Sequence, residues 1–416
     1  MNVIKVDGGL PIFSWCQNLD QNAMEQMVAI AELPYVKHCA IMPDGHLGQN
    51  CCIGGVVACE NIIVPDFIGS DCGCGLIVQK TSLKRSDLLD RNLRIKILNS
   101  IKRSVPMGFE HNSTNRQKEL QSYYQNTNGI KTDLEFLLDT QKLSKEITGN
   151  NTSQNLVLEQ IGTLGSGNHF LSIEYDKDDY IWIMVHSGSR NIGYKINEYY
   201  NEEALKLNQK WCSQSFVPFL PVDSDLGKLY LQDLNFALAF AQLNRELLVT
   251  SIMSDLSHFF PDVSYDEQIN IHHNYASFEN VYGKDLWVHR KGAVNASIGT
   301  RGVIPASMGT GSYIVEGLGN PKSLNSSSHG AGRKMGRKDF NRTHNTPEIL
   351  AQIAKIMEDV VFLDFTKEQS RGKKKSDLID VSESPLAYKD IEVVMAEQAD
   401  LVRPVNKLMP MINLKG

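Results

Sequence analysis

The segment Gly69-Ser70-Asp71-Cys72-Gly73-Cys74-Gly75, "GSDCGCG", places one carboxylate and two thiols within four residues. Three glycines free the surrounding backbone from most steric limits. Such a turn serves a metal site, a redox pair or a tight bend rich in cysteine, and the groups supplied elsewhere decide among these. Among 11 histidines, five short glycine- or asparagine-flanked contexts stand out: His46 in "MPDGHLG", His169 in "GSGNHF", His186 in "VHSGSR", the pair His272-His273 in "IHHNYA", and His329 in "SSSHGAGRKMGR". A lone histidine is more often a satisfied structural residue than a ligand. Several at the ends of apolar strands, together with an Asp-x-x-Cys, point instead to a metal centre. Imidazole, carboxylate and thiolate suit Mn, Fe or Zn, and their dispersed spacing means the site assembles in space rather than from one local motif.

A second set of residues points to phosphate. "ASIGTRGVIPASMGTGSYIVEGLGN" (296–320) is dense in Gly, Ser and Thr, whose backbone N–H groups and hydroxyls can cradle an anion. It fits neither the Walker lysine pattern nor a dinucleotide fingerprint, and glycine-rich hairpins are common without function. Nearby, "HGAGRKMGR" sets His329 beside Arg333, Lys334, Arg337 and Lys338. Guanidinium groups hold phosphate oxygens bidentately, and a neutral imidazole among them can attack phosphorus. The bland alternative is a basic, solvated turn.

Seven of the eight cysteines fall in the first 74 residues, only Cys212 lies beyond them, and there is no CxxC. That spacing argues against a zinc ribbon and against a thioredoxin-like pair. The opening "MNVIKVDGGLPIFSW" lacks a basic stretch followed by a long apolar run, and no apolar segment approaches the roughly 18 residues of a membrane span. A soluble cytoplasmic protein without a disulfide framework is expected. "CCIGGVVAC" (51–59) reads as a core strand in which Cys51, Cys52 and Cys59 are small buried hydrophobes. With 42% hydrophobic and 22% charged residues the 416-residue chain is an ordinary globular protein. A net charge of −6 excludes a generally basic, nucleic-acid-coating surface while leaving room for a local cationic groove.

The elements that must position these groups read as follows. Residues 38–80 are short strands and glycine turns, and a capped helix is expected over 84–103. Short apolar strands flank 162–174 and 180–190, and catalytic groups often sit at such strand ends. A long scaffold helix is expected at 225–256, glycine-rich loops and strands over 288–336, and further helices at 345–361 and 387–402. Lys373, Lys374 and Lys375 are assigned to a solvated loop. The pattern predicts an α+β architecture with central β-sheets and surrounding helices, not repeated βαβ units.

The blocks "MPDGHLG", "GSDCGCG", "GTLGSGNHF", "VHSGSR", "HHNYA", "HRKGA", "IPASMGTGSYIVEG", "SHGAGR", "AYKDI" and the terminal "LKG" occur in the order found in the RtcB family of RNA-splicing ligases, which the chain resembles from about residue 42 onward. The resemblance implies one large catalytic domain, 1–416, with that family's own α+β fold. It implies two Mn²⁺ ions bridged by Cys74, one completed by His169 and His186 and the other by Asp71 and His273. His329 would attack the α-phosphate of GTP, giving a guanylylated histidine. GMP would pass to an RNA 3′-phosphate, formed where necessary from a 2′,3′-cyclic phosphate, and a 5′-hydroxyl end would expel it. Asn168, Ser307, Ser312, Tyr388, Lys415 and Arg333 would bind the nucleotide, with Tyr388 stacking on the base; Arg190 and Arg337 would bind the RNA phosphate. The chain departs from the family at three points. Ser172 stands where a guanine-reading glutamate is common, with Glu174 two residues on; "MPDGH" replaces "MPDVH"; and Cys72 is an unusual thiol. Broken tRNA or rRNA is the expected partner, and a monomer the expected state. A binuclear metal-dependent phosphoesterase and a non-catalytic RNA-binding descendant are the alternatives.

Overall fold

Strand and helix follow from local patterning in this chain. The computed structural model describes residues 1–125, 128–139, 141–149, 151–209, 217–362 and 381–416; Cys212 and Lys373, Lys374 and Lys375 lie outside them. The run Leu76-Ile77-Val78 opens a strand, Gly75–Lys84, that is buried on both faces at its start. Such strands read as continuous apolar runs because both sides meet packed neighbours. It lies inside an eight-stranded sheet whose order is Tyr265–His272, Gly75–Lys84, Tyr180–Ser187, Phe170–Tyr175, Val402–Lys415, Ser312–Gly317 and Arg301–Ile304, with Val361–Phe362 added alongside Val402–Lys415. A six-stranded sheet runs Asn2–Ile4, Ile12–Ser14, Val36–His46, Ile53–Cys59, Lys284–Lys291 and Asn274–Val281. The α+β expectation holds.

The scaffold helix forms where its pattern places it, at Asp225–Ser257, with the Ser224 hydroxyl accepting from the Gly227 N–H at 3.0 Å. It packs across the strands Gly75–Lys84, Tyr180–Ser187 and Tyr265–His272. Phe236, Phe240, Leu248 and Ile252 are wholly buried along it, and each such side chain contributes about 1.5–3 kcal/mol of transfer free energy. Two polar residues in its middle are equally buried and tie it to the site. Asn244 accepts from the Gly162 N–H at 2.7 Å and donates to the Ser187 hydroxyl at 3.0 Å, while Arg245 donates to the carbonyls of Gly73 at 2.9 Å and Ser187 at 3.1 Å.

Element ends differ from expectation where a polar side chain intervenes. The helix expected over 84–103 is Arg91–Ser104, because Asp87 accepts from the Lys84 N–H and closes a separate turn, leaving Asp90 to cap the helix. The last two helices are shorter, Pro347–Ile356 and Ile391–Glu397. Ile353 and Gln398 carry the bonds that end them, and from Val402 the chain enters the large sheet. "CCIGGVVAC" supplies the strand Ile53–Cys59, with Cys51, Cys52 and Cys59 fully buried and all described cysteines free. Burial drives those thiol pKa values up, that of Cys51 to about 11, in keeping with small buried hydrophobes.

Candidate active site

The opening turn ends where the strand Gly75–Lys84 begins, and that strand's neighbours set what Cys74 meets. Leu76 lies opposite His186, and Gly75 opposite His272. His186 and the following His273 therefore straddle Cys74 from two sides. Glycine is required here. Gly73 has φ +78, a region that favours glycine, and a Cβ there would come within 2.9 Å of the Ala241 methyl; a Cβ on Gly75 would collide with the Ile271 carbonyl.

Two groups of potential metal ligands result, sharing Cys74: Asp71, Cys74 and His169, and Cys74, His186 and His273, the donor atoms within each lying within 4.8 Å of one another. The Cys74 Sγ is 3.5 Å from His169 Nε2 and 3.2 Å from His186 Nε2; His186 Nε2 is 3.3 Å from His273 Nε2; His169 Nε2 is 2.8 Å from Asp71 Oδ2. These groups differ from the partition implied by the resemblance, which set His169 with His186 and Asp71 with His273. The topology explains the change: His186 and His273 sit on the two neighbours of the Cys74 strand, whereas His169 arrives from the next strand over, on the Asp71 side. Cys72 belongs to neither group; its Sγ lies 3.9 Å from the Ser189 hydroxyl, in an apolar cluster.

The electrostatics fit cation binding. Burial would raise the Asp71 carboxyl, but His169, by hydrogen bond and by charge, holds it down at about 2. Burial, reinforced by their histidine neighbours, pushes His186 and His273 well below the usual imidazole range, so both offer lone pairs. Burial and then the Asp71 charge push the Cys74 thiol up, so a bound cation must displace its proton. The His169 Nδ1 is 3.0 Å from the Leu164 carbonyl, which fixes the ring with Nε2 turned inward. Three imidazoles, a thiol and a carboxylate brought this close form a donor set that a borderline divalent transition metal satisfies.

His329 adjoins the second group, its ring 4.8 Å from that of His273. The fully buried Asp44 holds it: one carboxylate oxygen lies 2.6 Å from His329 Nδ1 and accepts from the backbone N–H groups of His329 at 3.1 Å and Gly330 at 3.2 Å. Nδ1 thereby carries the proton and Nε2 keeps its lone pair. Sequence reasoning missed Asp44, although it lies inside the quoted "MPDGHLG". His46, from the same motif, bonds the Asp44 carbonyl through Nδ1 at 2.8 Å, and burial lowers it to about 4; it joins neither ligand group.

Asn168, Ser307, Ser312, Tyr388 and Lys415 line one cavity, as expected of a common ligand. Lys415 reaches it because the strand Val402–Lys415 pairs with Phe170–Tyr175 in a register that sets Lys415 opposite Phe170. Arg333 is not among that cavity's walls; with Arg337 it lines a wider neighbouring cleft, its guanidinium 5.0 Å from the Tyr388 ring. A second carboxylate missed in the sequence, Glu383, joins the two. It accepts from Arg333 at 3.5 Å, Arg337 at 2.5 Å and the Tyr388 hydroxyl at 2.5 Å, and pairs with Lys415 at 2.5 Å. Arg190 begins the helix Arg190–Leu207 at φ +59, its Nη1 3.2 Å from the His169 ring.

A fold that brings metal-competent side chains against a carboxylate-held histidine, with Arg333, Lys334 and Arg337 on the wall of the cleft beside it, has groups suited to the phosphoryl-transfer class of chemistry. Residues 26–416 match the family model described as tRNA-splicing ligase RtcB. The chain is 33% identical to RNA-splicing ligase RtcB of Escherichia coli (strain K12), across 98% of this chain and 97% of that relative. It is 29% identical to tRNA-splicing ligase RtcB of Methanococcus maripaludis, across 96% and 92%, and 28% identical to RNA-splicing ligase RtcB of Mycobacterium bovis, across 94% and 100%. The chain belongs to the RtcB family.

Proposed function

We propose that the protein is a GTP- and Mn²⁺-dependent RNA ligase that joins 3′-phosphate or 2′,3′-cyclic phosphate ends to 5′-hydroxyl ends, acting as a single cytoplasmic domain, 1–416, on broken tRNA or rRNA. The observation that carries this reading is the placement of His329, oriented by Asp44 and in ring contact with His273. Its free Nε2 attacks the α-phosphorus of GTP; a P–N bond forms, and the bond to pyrophosphate breaks. The RNA 3′-phosphate then takes GMP from His329, a cyclic end having first been opened by water. The 5′-hydroxyl oxygen attacks the activated phosphorus, and GMP leaves with the bonding pair. Asp71, Cys74, His169, His186 and His273 would hold two Mn²⁺ ions, which when bound supply Lewis acidity and charge neutralisation at phosphate. Arg190 and Arg337 hold the RNA phosphate, and Asn168, Ser307, Ser312, Tyr388, Lys415 and Arg333 the nucleotide.

The test is covalent labelling. Protein incubated with Mn²⁺ and α-labelled GTP is expected to carry label through denaturation, and His329→Ala none. An unlabelled wild type, or an equally labelled variant, refutes the mechanism.

A further inference from the structure

In the motif "AYKDI", Tyr388 lines the cavity shared with Lys415, whereas its neighbour Lys389 lies on the wall of the wider cleft with Arg333 and Arg337. A lysine in that place suits a phosphate, but its donors are engaged elsewhere. Its Nζ donates to the carbonyls of Gly45 at 2.9 Å and Pro43 at 3.1 Å, and to the Cys16 Sγ at 3.3 Å. An ammonium has three N–H groups, so each has an acceptor within the protein. The two carbonyls belong to the residues on either side of Asp44, and the Asp44 carbonyl between them is met by the His46 ring. Every backbone acceptor of this buried stretch thus has a partner, two of them in the same side chain.

Lys389 is also tied to the turn that carries His329. Its backbone N–H donates to the Gly332 carbonyl at 2.9 Å, and the Lys334 N–H donates to the Ala387 carbonyl at 3.0 Å. Gly332 has φ +72, and a Cβ there would stand 2.5 Å from the Asp44 carbonyl oxygen, so this turn passes directly over Asp44. Asp390 caps the helix Ile391–Glu397 immediately after Lys389, which anchors the lysine in its turn. Asp44 and His329 are 285 positions apart in the chain; Lys389 holds the first through its ammonium and the turn of the second through its backbone. We propose that Lys389 is a positioning residue for transfer to His329: its ammonium clamps the peptide groups flanking Asp44 and so fixes the carboxylate that orients the His329 ring. The inference rests on the nucleophile reading above.

The experiment measures single-turnover label transfer from α-labelled GTP to His329, with Mn²⁺ and over a range of GTP concentrations, in wild type, Lys389→Met, Asp44→Ala and the double variant. Methionine is unbranched and removes both the charge and the donors. Lys389→Met is expected to lower the saturating rate by about 10- to 100-fold, since a displacement of about 1 Å suffices for that. The half-saturating GTP concentration is expected to change by under about 2-fold, because the lysine has no N–H left for the nucleotide. In the Asp44→Ala background the same substitution is expected to cost under about 2-fold more, as residues that act through one another are not additive. Equal losses in both backgrounds, or a loss confined to the GTP concentration required, overturn the proposal. Lys389→Gln, shorter but with two N–H donors, is a milder variant expected to lose about 3- to 10-fold. A wild-type rate in either folded variant overturns the proposal, and so does failure of both to fold, which makes Lys389 a residue of stability alone. Absence of label from wild type overturns the ligase reading and this inference with it; label on wild type with additive losses overturns this inference alone.

Discussion

Replacing Asp44 isolates what orients His329, the proposed nucleophile. One of its oxygens serves three donors, the His329 ring N–H and two backbone N–H groups, and the other has no partner among the described residues, in a site where a Cβ on Gly54 would stand 3.0 Å away. In Asp44→Asn the amide oxygen can keep the three donors and its NH₂ takes the unpartnered position, so geometry survives and the charge is lost. Charge-assisted hydrogen bonds are roughly twice as strong as neutral ones, so the imidazole that must accumulate positive charge during attack loses about 1–1.5 kcal/mol, or about 10-fold in rate. Asp44→Ala strands all three donors in a buried place; the ring loses its tautomer and orientation, and about 100-fold or more is expected, together with a loss of stability of about 2–3 kcal/mol. The assay is the single-turnover rate of label transfer from GTP to His329 at saturating nucleotide, with denaturant melts in parallel. Wild-type rates in a folded Asp44→Ala protein would refute the orienting role.

Two further outcomes follow from the thiols and from Glu174. In equilibrium dialysis with Mn²⁺, Cys74→Ser is expected to weaken binding at both ligand groups by at least about 10-fold, because its sulfur is common to them, while Cys72→Ser binds as wild type; equal losses would refute the division between the two thiols. Burial raises the Glu174 carboxyl from 4.5 to about 7, so between those values the native state binds more protons than the unfolded state and stability falls as pH rises. Glu174→Gln removes that term and should gain about 3 kcal/mol over wild type at pH 8 and under about 1 kcal/mol at pH 5; a difference independent of pH in urea melts would sink the assignment.

The sequence carried the groups of this site more clearly than their arrangement. Glycine-flanked His169, His186, His273 and His329 are legible because short polar ends of apolar strands are where side chains can converge, and Gly73 because an Asp-x-x-Cys turn this tight needs a positive φ. The long helix was legible from its Ser224 cap and apolar spacing. Which histidine lies beside which was not, since it depends on the order of strands Tyr265–His272, Gly75–Lys84, Tyr180–Ser187 and Phe170–Tyr175, a long-range pairing that no local period encodes. Asp44 and Glu383 escaped notice for a related reason. Each is one acidic residue in a short loop or strand, and its importance comes from donors 285 positions away in the first case and from Arg333, Arg337 and Lys415 in the second.

The strand Val402–Lys415 sits mid-sheet, with Phe170–Tyr175 on one side and Ser312–Gly317 on the other. It is the last described element in chain order, yet it joins halves made much earlier. A chain growing from its N-terminus has Gly75–Lys84, Tyr180–Ser187 and Phe170–Tyr175 in hand well before the strand that pairs them with Ser312–Gly317, while Arg301–Ile304 also meets Gly75–Lys84 and Tyr265–His272 from the far side. Closure of so distant a pairing is slow and leaves strand edges open in the interval. Synthesis thus delivers the candidate metal ligands before Lys415, so the part of the cavity wall that the last strand adds can be completed only after them.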